Sequence, residues 1–304
     1  MLTARRAAKR IAANWELYAL ISFPVAYFFI FRYIPMYGVT IAFKDFTPAL
    51  GIWGSPWVGF EHFRTFFESY NFEQILRNTV ILSGLLLLIA FPIPILAALM
   101  LNQVAQQKLK RFIQTSIYAP YFISTVVLIG MVYVFLSPNS GIVNHLIVAL
   151  GGEPVLFMAK AEWFRPIYVF TEVWQNTGFA SIIYLAALAG IDPHLHEAAV
   201  VDGASKWQRV RHIDLPGIAP TVLIMFILAI GSLMNIGFEK AFLMQTDVNV
   251  DASEIIPTYV YKIGIQRAQY SFSAAIGLFN AVINLILLVM VNQAVKKMNG
   301  NSLF

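Results

Sequence analysis

The stretch "VILSGLLLLIAFPIPILAALML", residues 80–101, constrains this chain more than any other. It carries no charge, and its aliphatic run is interrupted by Pro92 and Pro94. About 20 predominantly apolar residues is the length of a helix that crosses a bilayer core. Inside hydrocarbon every backbone polar group must be satisfied within the segment, which helices achieve. Five further stretches meet the same test: 17–34, 117–136, 167–188, 221–238 and 272–291. Arg32 sits near the end of the first, where a long side chain can snorkel to the interface. Hydrophobic residues make up 59% of the 304 positions and charged ones 12%, about half the charged fraction of a soluble domain. The expected fold is all-α and polytopic, with six transmembrane helices.

Lys and Arg give the orientation, since cytoplasmic loops carry an excess of them. With the N-terminus inside, the inner segments hold Arg5, Arg6, Lys9, Arg10, Lys108, Lys110, Arg111, Lys206, Arg209, Arg211, Lys296 and Lys297. The remaining basic residues are mixed with most of the acidic ones. Both termini are therefore expected in the cytoplasm, and the pI near 9.3 is topological bias rather than a nucleic-acid footprint. The expected organisation is a basic cytoplasmic segment 1–16, a transmembrane region 17–294 and a cytoplasmic tail 295–304. A secretory signal peptide is the competing reading of "ARRAAKR" and the run after it. The apolar stretch outlasts a signal core, and no small-residue cleavage site follows. Within the outer segment 37–79, Phe60, Phe63, Phe66 and Phe67 fall at helical spacing, as in an interfacial amphipathic helix.

One inner segment is unusual. "EAAVVDGASKWQRVRHIDLP", residues 197–216, is densely charged yet lies between two apolar runs. Asp192-Pro193 is a helix start, and Gly203 would end that helix. Ser205 with Gln208 has the spacing of a capping box, opening a second short helix that Pro216 would close. Residues 192–216 thus predict a compact helical knob at the membrane surface. His194 and His196 are read as surface residues of it. "HLHEAAV" is no zincin site, because Val200 stands where the second histidine would be needed.

The spacing Glu197-Ala198-Ala199, Gly203, Ile213-x-Leu215-Pro216, with Asp202 and Ala204 also fitting, resembles the signature of ABC importer permeases. "MYGVTIAFKDF", "SPWVGFEHF", "GFEKAFLM" and "TYVYKIGIQRAQYSFSAAIGLFN" extend the resemblance to the polysaccharide-type carbohydrate permeases, from about Met36 to Asn292. The resemblance implies a type I ABC importer permease fold. It implies that Glu197, Ala198, Ala199, Asp202, Gly203, Ile213, Leu215 and Pro216 form a coupling segment that docks on an ATPase. It further implies a second homologous permease, two ATPase subunits using ATP and Mg, an external solute-binding protein, and a bacterial plasma membrane. The implied cargo is an oligosaccharide, with acidic alginate-like chains the narrower reading and a different small solute the alternative. No G-x-x-x-x-G-K-[ST] occurs, so the P-loop route to ATP hydrolysis belongs to a separate subunit. This chain is expected to be non-catalytic, with no cofactor or metal of its own.

Polar residues inside spans are costly and commonly face a cavity. Tyr118, Tyr121, Trp174, Asn176, Asn235, Glu239, Lys240 and Asn280 are the candidates for a substrate path, offering hydrogen bonds and aromatic faces to sugars. Interhelical hydrogen bonding is the competing reading, favoured for Asn284. Glu239 and Lys240 could instead pair with each other. An ion-gradient-driven transporter predicts internal repeats and paired intramembrane carboxylates. No repeat is present, and Glu172 alone lies well inside a span. A membrane-embedded enzyme predicts clustered His, Asp or Glu, whereas the five histidines are scattered.

Overall fold

A computed structural model describes residues 13–299; Arg5, Arg6, Lys9, Arg10 and the end of the tail lie outside the described residues. Among those residues there is no strand, and an isolated bridge pairs Lys44 with Trp57. The principal helices are α1 (Trp15–Phe28), α2 (Glu61–Phe67), α3 (Phe72–Leu85), α4 (Pro92–Asn102), α5 (Gln107–Tyr118), α6 (Thr125–Phe135), α7 (Ala161–Ala189), α8 (Pro193–Val201), α9 (Lys206–Arg209), α10 (Leu215–Gly231), α11 (Phe238–Met244) and α12 (Tyr270–Asn299). Four helical stretches are long and apolar enough to cross a membrane: Trp15–Phe43, Phe72–Asn102, Lys206–Gly231 and Tyr270–Lys297. Counting each of two bent pairs, Gln107–Phe122 with Thr125–Phe135 and Ala161–Ala189 with Pro193–Val201, as one span brings the number to six.

The chain divides into two compact units, Met1–Phe67 with Ile263–Leu278, and Glu68–Lys262 with Phe279–Phe304. In the first, α1 buries none of its residues. The loop after it is closed by aromatic packing: the Phe43 ring lies 5.7 Å from Trp57 and 5.4 Å from both Phe60 and Phe63. Phe60 precedes α2 rather than joining it, and Phe66 turns fully inward, so the helical phenylalanines serve the unit's own core as well as its surface.

In the second unit, α7 organises two apolar clusters. Phe164, Ile167, Tyr168 and Val169 near its start pack with Leu82, Leu128, Ile129 and Met244. Tyr184 and Leu188 near its end pack with Ile95, Ala98, Leu99, Val210 and Ile218. The polar residues between these groups on α7 are thus placed between two cores. Gly178 is required midway, since a Cβ there would lie 1.9 Å from the Ile117 carbonyl oxygen.

Two expected spans are revised. Residues 117–136 are not one helix: α5 ends in a 3-10 turn at Ala119–Phe122, and α6 restarts at Thr125 after a 98° bend. Pro120 has no N–H to continue an α-helix, and Ser124 caps α6 by accepting the Val127 N–H. Nor do residues 221–238 form a span of their own. The helix begins at Lys206, passes Pro216 and ends at Gly231. Pro216 does not close it, because a π-helical turn at Val210–Asp214 absorbs the missing donor while the axis continues.

Candidate functional site

The interruptions converge. A π-helical turn at Leu86–Ala90, the break between α5 and α6, and the unwound residues 232–237 after α10 all border one cavity of about 660 Å³. Non-helical backbone at membrane depth survives only where protein buries it or water reaches it. Side chains from three directions hold the unwound segment. Ser83 Oγ donates to the Leu233 carbonyl at 2.5 Å, and the Met234 N–H donates to Asn284 Oδ1 at 3.0 Å. Asn280 Nδ2 donates to Asn235 Oδ1 at 2.7 Å, and the Tyr168 hydroxyl donates to the Gly237 carbonyl at 3.3 Å.

The cavity's charge is concentrated in one constellation. Lys240 is 4% exposed, and its Nζ lies 2.6 Å from Glu172 Oε2 and 5.4 Å from the centre of the Tyr168 ring. Asn176, one turn along α7, donates to Glu172 Oε1 at 2.7 Å. Glu239 is exposed and also lines the cavity. Lys240 therefore pairs with Glu172 rather than with its sequence neighbour, because α11 turns the adjacent side chains to different faces. Tyr121 joins the wall with its ring stacked 3.9 Å from that of Phe179.

Of the path candidates, Tyr121, Asn176, Asn235, Glu239 and Lys240 line the cavity. Tyr118, Trp174 and Asn280 do not. Asn280 acts from behind by orienting Asn235, and Trp174 projects from another face of α7, 41% exposed. Tyr168 and Ser83 were missed. Ser83 had a signal, being a hydroxyl in the most aliphatic run of the chain.

At the far end of α7 from Tyr168 lies the charged segment. Asp192 caps α8 by accepting the His194 N–H, and α8 ends in a Schellman motif. The Ala204 N–H donates to the Ala199 carbonyl and the Gly203 N–H to the Val200 carbonyl. Gly203 adopts φ +76° with open space around its α-carbon. Ser205 and Gln208 form the capping box reciprocally. Glu197, Ala198, Asp202, Gly203, Leu215 and Pro216 are exposed, while Ala199 and Ile213 are half-buried. Leu195, Val201 and Trp207 also stand exposed on the same segment.

His196 is half-buried rather than freely exposed. Its Nε2 lies 3.2 Å from Oδ1 of Asp214, which is completely buried, and Gln103 Nε2 donates to Asp214 Oδ2 at 3.1 Å. Asp214 thus ties α8 to the end of α4 at the π-helical turn. His194 stays exposed, 3.3 Å from Glu197. No group of His, Cys, Asp and Glu able to hold a metal is found among the described residues.

The family described as binding-protein-dependent transport system inner membrane component matches residues 90–300. Protein LplB of Bacillus subtilis (strain 168) is 44% identical over 100% of this chain and 96% of its own length. A polygalacturonan/rhamnogalacturonan transport system permease protein, YteP, of the same organism is 42% identical over 95% of this chain and 90% of its own. The crystal structure of a bacterial ABC transporter involved in the import of the acidic polysaccharide alginate contains a similar chain, with TM-score 0.90 and 40% identity over 97% of this chain and 99% of that one. The broken spans, the polar cavity between them and the exposed hairpin belong to a multi-pass membrane permease, and the chain is a member of the binding-protein-dependent transport system inner membrane component family of ABC transporters.

Proposed function

We propose that this chain is a translocation subunit of an ATP-driven importer of oligosaccharides, acidic ones among them, in a bacterial plasma membrane. The observation that carries the reading is a mechanical one. The helix that starts in the exposed hairpin at Lys206 runs unbroken to Gly231, roughly 39 Å at 1.5 Å per residue. It ends at the unwound residues that line the cavity. A push on the hairpin therefore reaches the cavity wall through a rigid rod, while α7 joins the same hairpin to Glu172 and Asn176.

In this reading Glu197, Ala198, Ala199, Asp202 and Gly203 dock on a separate ATPase that binds ATP and Mg, with Ile213, Leu215 and Pro216 supporting them from the rod. The hairpin and both termini lie in the cytoplasm. A second permease chain completes the pathway, and an external binding protein delivers the sugar, as the alginate importer crystallised with its pentasaccharide-bound periplasmic protein supports. The likeness to a polygalacturonan/rhamnogalacturonan transport system permease supports a saccharide cargo. The hydroxyls and amides of Ser83, Ser232, Asn235 and Asn176 suit sugar hydroxyls, and Tyr121 offers a ring face.

The test is co-purification from native membranes. Wild type should bring down a P-loop ATPase, and Glu197→Ala/Gly203→Asp should lose it while remaining inserted. Equal ATPase recovery with both would remove the docking role. Absence from both, after crosslinking through Ser205→Cys, would reopen the gradient-driven alternative.

A further inference from the structure

A second cavity, of about 550 Å³, lies at the start of α3 and α7, the end of α7 opposite the hairpin. Two guanidinium groups line it, those of Arg77 and Arg165. Neither has a carboxylate within 4.0 Å among the described residues. Arg165 is held from one side, its Nη2 donating to Asn78 Oδ1 at 2.9 Å, while its buried Nε has no partner. Asn78 is itself fixed by donating to the backbone carbonyls of Asp251 and Glu254. The two acids in the lining, Glu73 and Asp251, stand more than 4.0 Å from both guanidinium groups. Among the described residues Glu73 makes no ion pair, and the Asp251 carboxylate accepts from Gln74.

Like charges brought together without a counterion destabilise one another unless an anion joins them. The central cavity lacks such an opening, because its Lys240 is already matched by Glu172. We infer that Arg77 and Arg165 form a vestibule that takes the carboxylate of an acidic sugar before it enters the central cavity. This inference rests on the oligosaccharide reading. Planar guanidinium groups suit a carboxylate in bidentate fashion. Gln74 can bond adjacent hydroxyls, and the fully exposed ring of Tyr70 stands at the mouth. From here Ser83 is about a turn and a half along α3, and Tyr168 about one turn along α7, so the vestibule and the central cavity share two walls.

The experiment compares trigalacturonate with neutral galactotriose on the assembled complex in phosphatidylcholine nanodiscs. Binding and ATP-driven uptake are both measured. Arg77→Gln removes no hydrogen bond within the described chain, so its folding is safe; Arg165→Gln and Arg165→Lys are run beside it. Arg77→Gln should weaken trigalacturonate binding about tenfold or more, the worth of one charge-assisted hydrogen bond. Galactotriose should be unaffected, and Arg165→Lys should retain more binding than Arg165→Gln. Unchanged trigalacturonate affinity in Arg77→Gln and Arg165→Gln would overturn the inference while leaving the importer reading intact. So would loss of bound anionic lipid from the variants, seen by native mass spectrometry, with sugar binding unaltered. If wild type takes up neither sugar in either assay, the oligosaccharide reading itself fails.

Discussion

Lys240 and Glu172 offer the sharpest energetic test. At 2.6 Å their Coulomb attraction is about 6 kcal/mol at an effective dielectric of 20. Desolvation of both groups offsets much of that, so the pair's net worth is small compared with the cost of breaking it. In Glu172→Gln a nearly buried ammonium loses its counterion. The expected loss is about 3 kcal/mol, the low end of the range for broken buried pairs, because the Glu172 side chain is 29% exposed. Lys240→Met should cost a similar amount by stranding the carboxylate. The double variant Glu172→Gln/Lys240→Met leaves no charge to strand, and should fall within about 1 kcal/mol of wild type if coupling between contacting residues follows the usual pattern. In apparent Tm of the purified protein, each single change should lower the midpoint by roughly 10 °C and the double by far less. Glu239→Gln, which touches no ion pair among the described residues, is the control and should leave Tm unchanged. Additive losses in the double variant would refute the argument, since they would mean the two charges do not sense each other.

Three further outcomes follow from the geometry. Gly203→Asn should keep the fold within about 1 kcal/mol, because Asn tolerates a positive φ and nothing crowds the site; Gly203→Asp should be equally folded but uncoupled, and normal ATP-driven uptake by it would contradict the docking role. Gly178→Ala should sharply reduce the amount of folded protein recovered, since its Cβ would collide with the Ile117 backbone; wild-type yield would show that α7 and the α5 terminus are farther apart. Asn284→Ala should strand the buried Met234 N–H at a cost of about 1–3 kcal/mol, read as a lower Tm and faster proteolysis between α10 and α11; an unchanged protein would mean another acceptor replaces it.

The sequence revealed those features whose determinants are local. The cap at Asp192, the left-handed Gly203 and the Ser205–Gln208 box depend on residues within one turn, and the structure has all three. Apolar length located the membrane-crossing stretches but not their continuity. The residues from Ile117 to Leu136 are apolar on both sides of Ile123, so hydropathy could not see a 98° bend. Pro216 misled for the opposite reason, because a single π-helical turn accommodates a proline that would otherwise stop a helix. The Lys240–Glu172 and His196–Asp214 pairs join residues far apart in sequence, and no local spacing encodes them. Among the path candidates, amides and tyrosines were legible as unusual, but which face of each helix met the cavity was set by tertiary packing.

The central claim is that nucleotide events at the hairpin reach the cavity. Because the chain has no cysteine, Ser232→Cys places one reporter thiol of this chain in the cavity wall. Its labelling by a membrane-impermeant maleimide, added from the external side of the reconstituted complex, should change severalfold between the nucleotide-free and ATP-trapped states. Gly203→Asp should abolish that change without altering nucleotide-free labelling. Identical labelling of Ser232→Cys in the two nucleotide states, in a complex shown to hydrolyse ATP, would contradict the account.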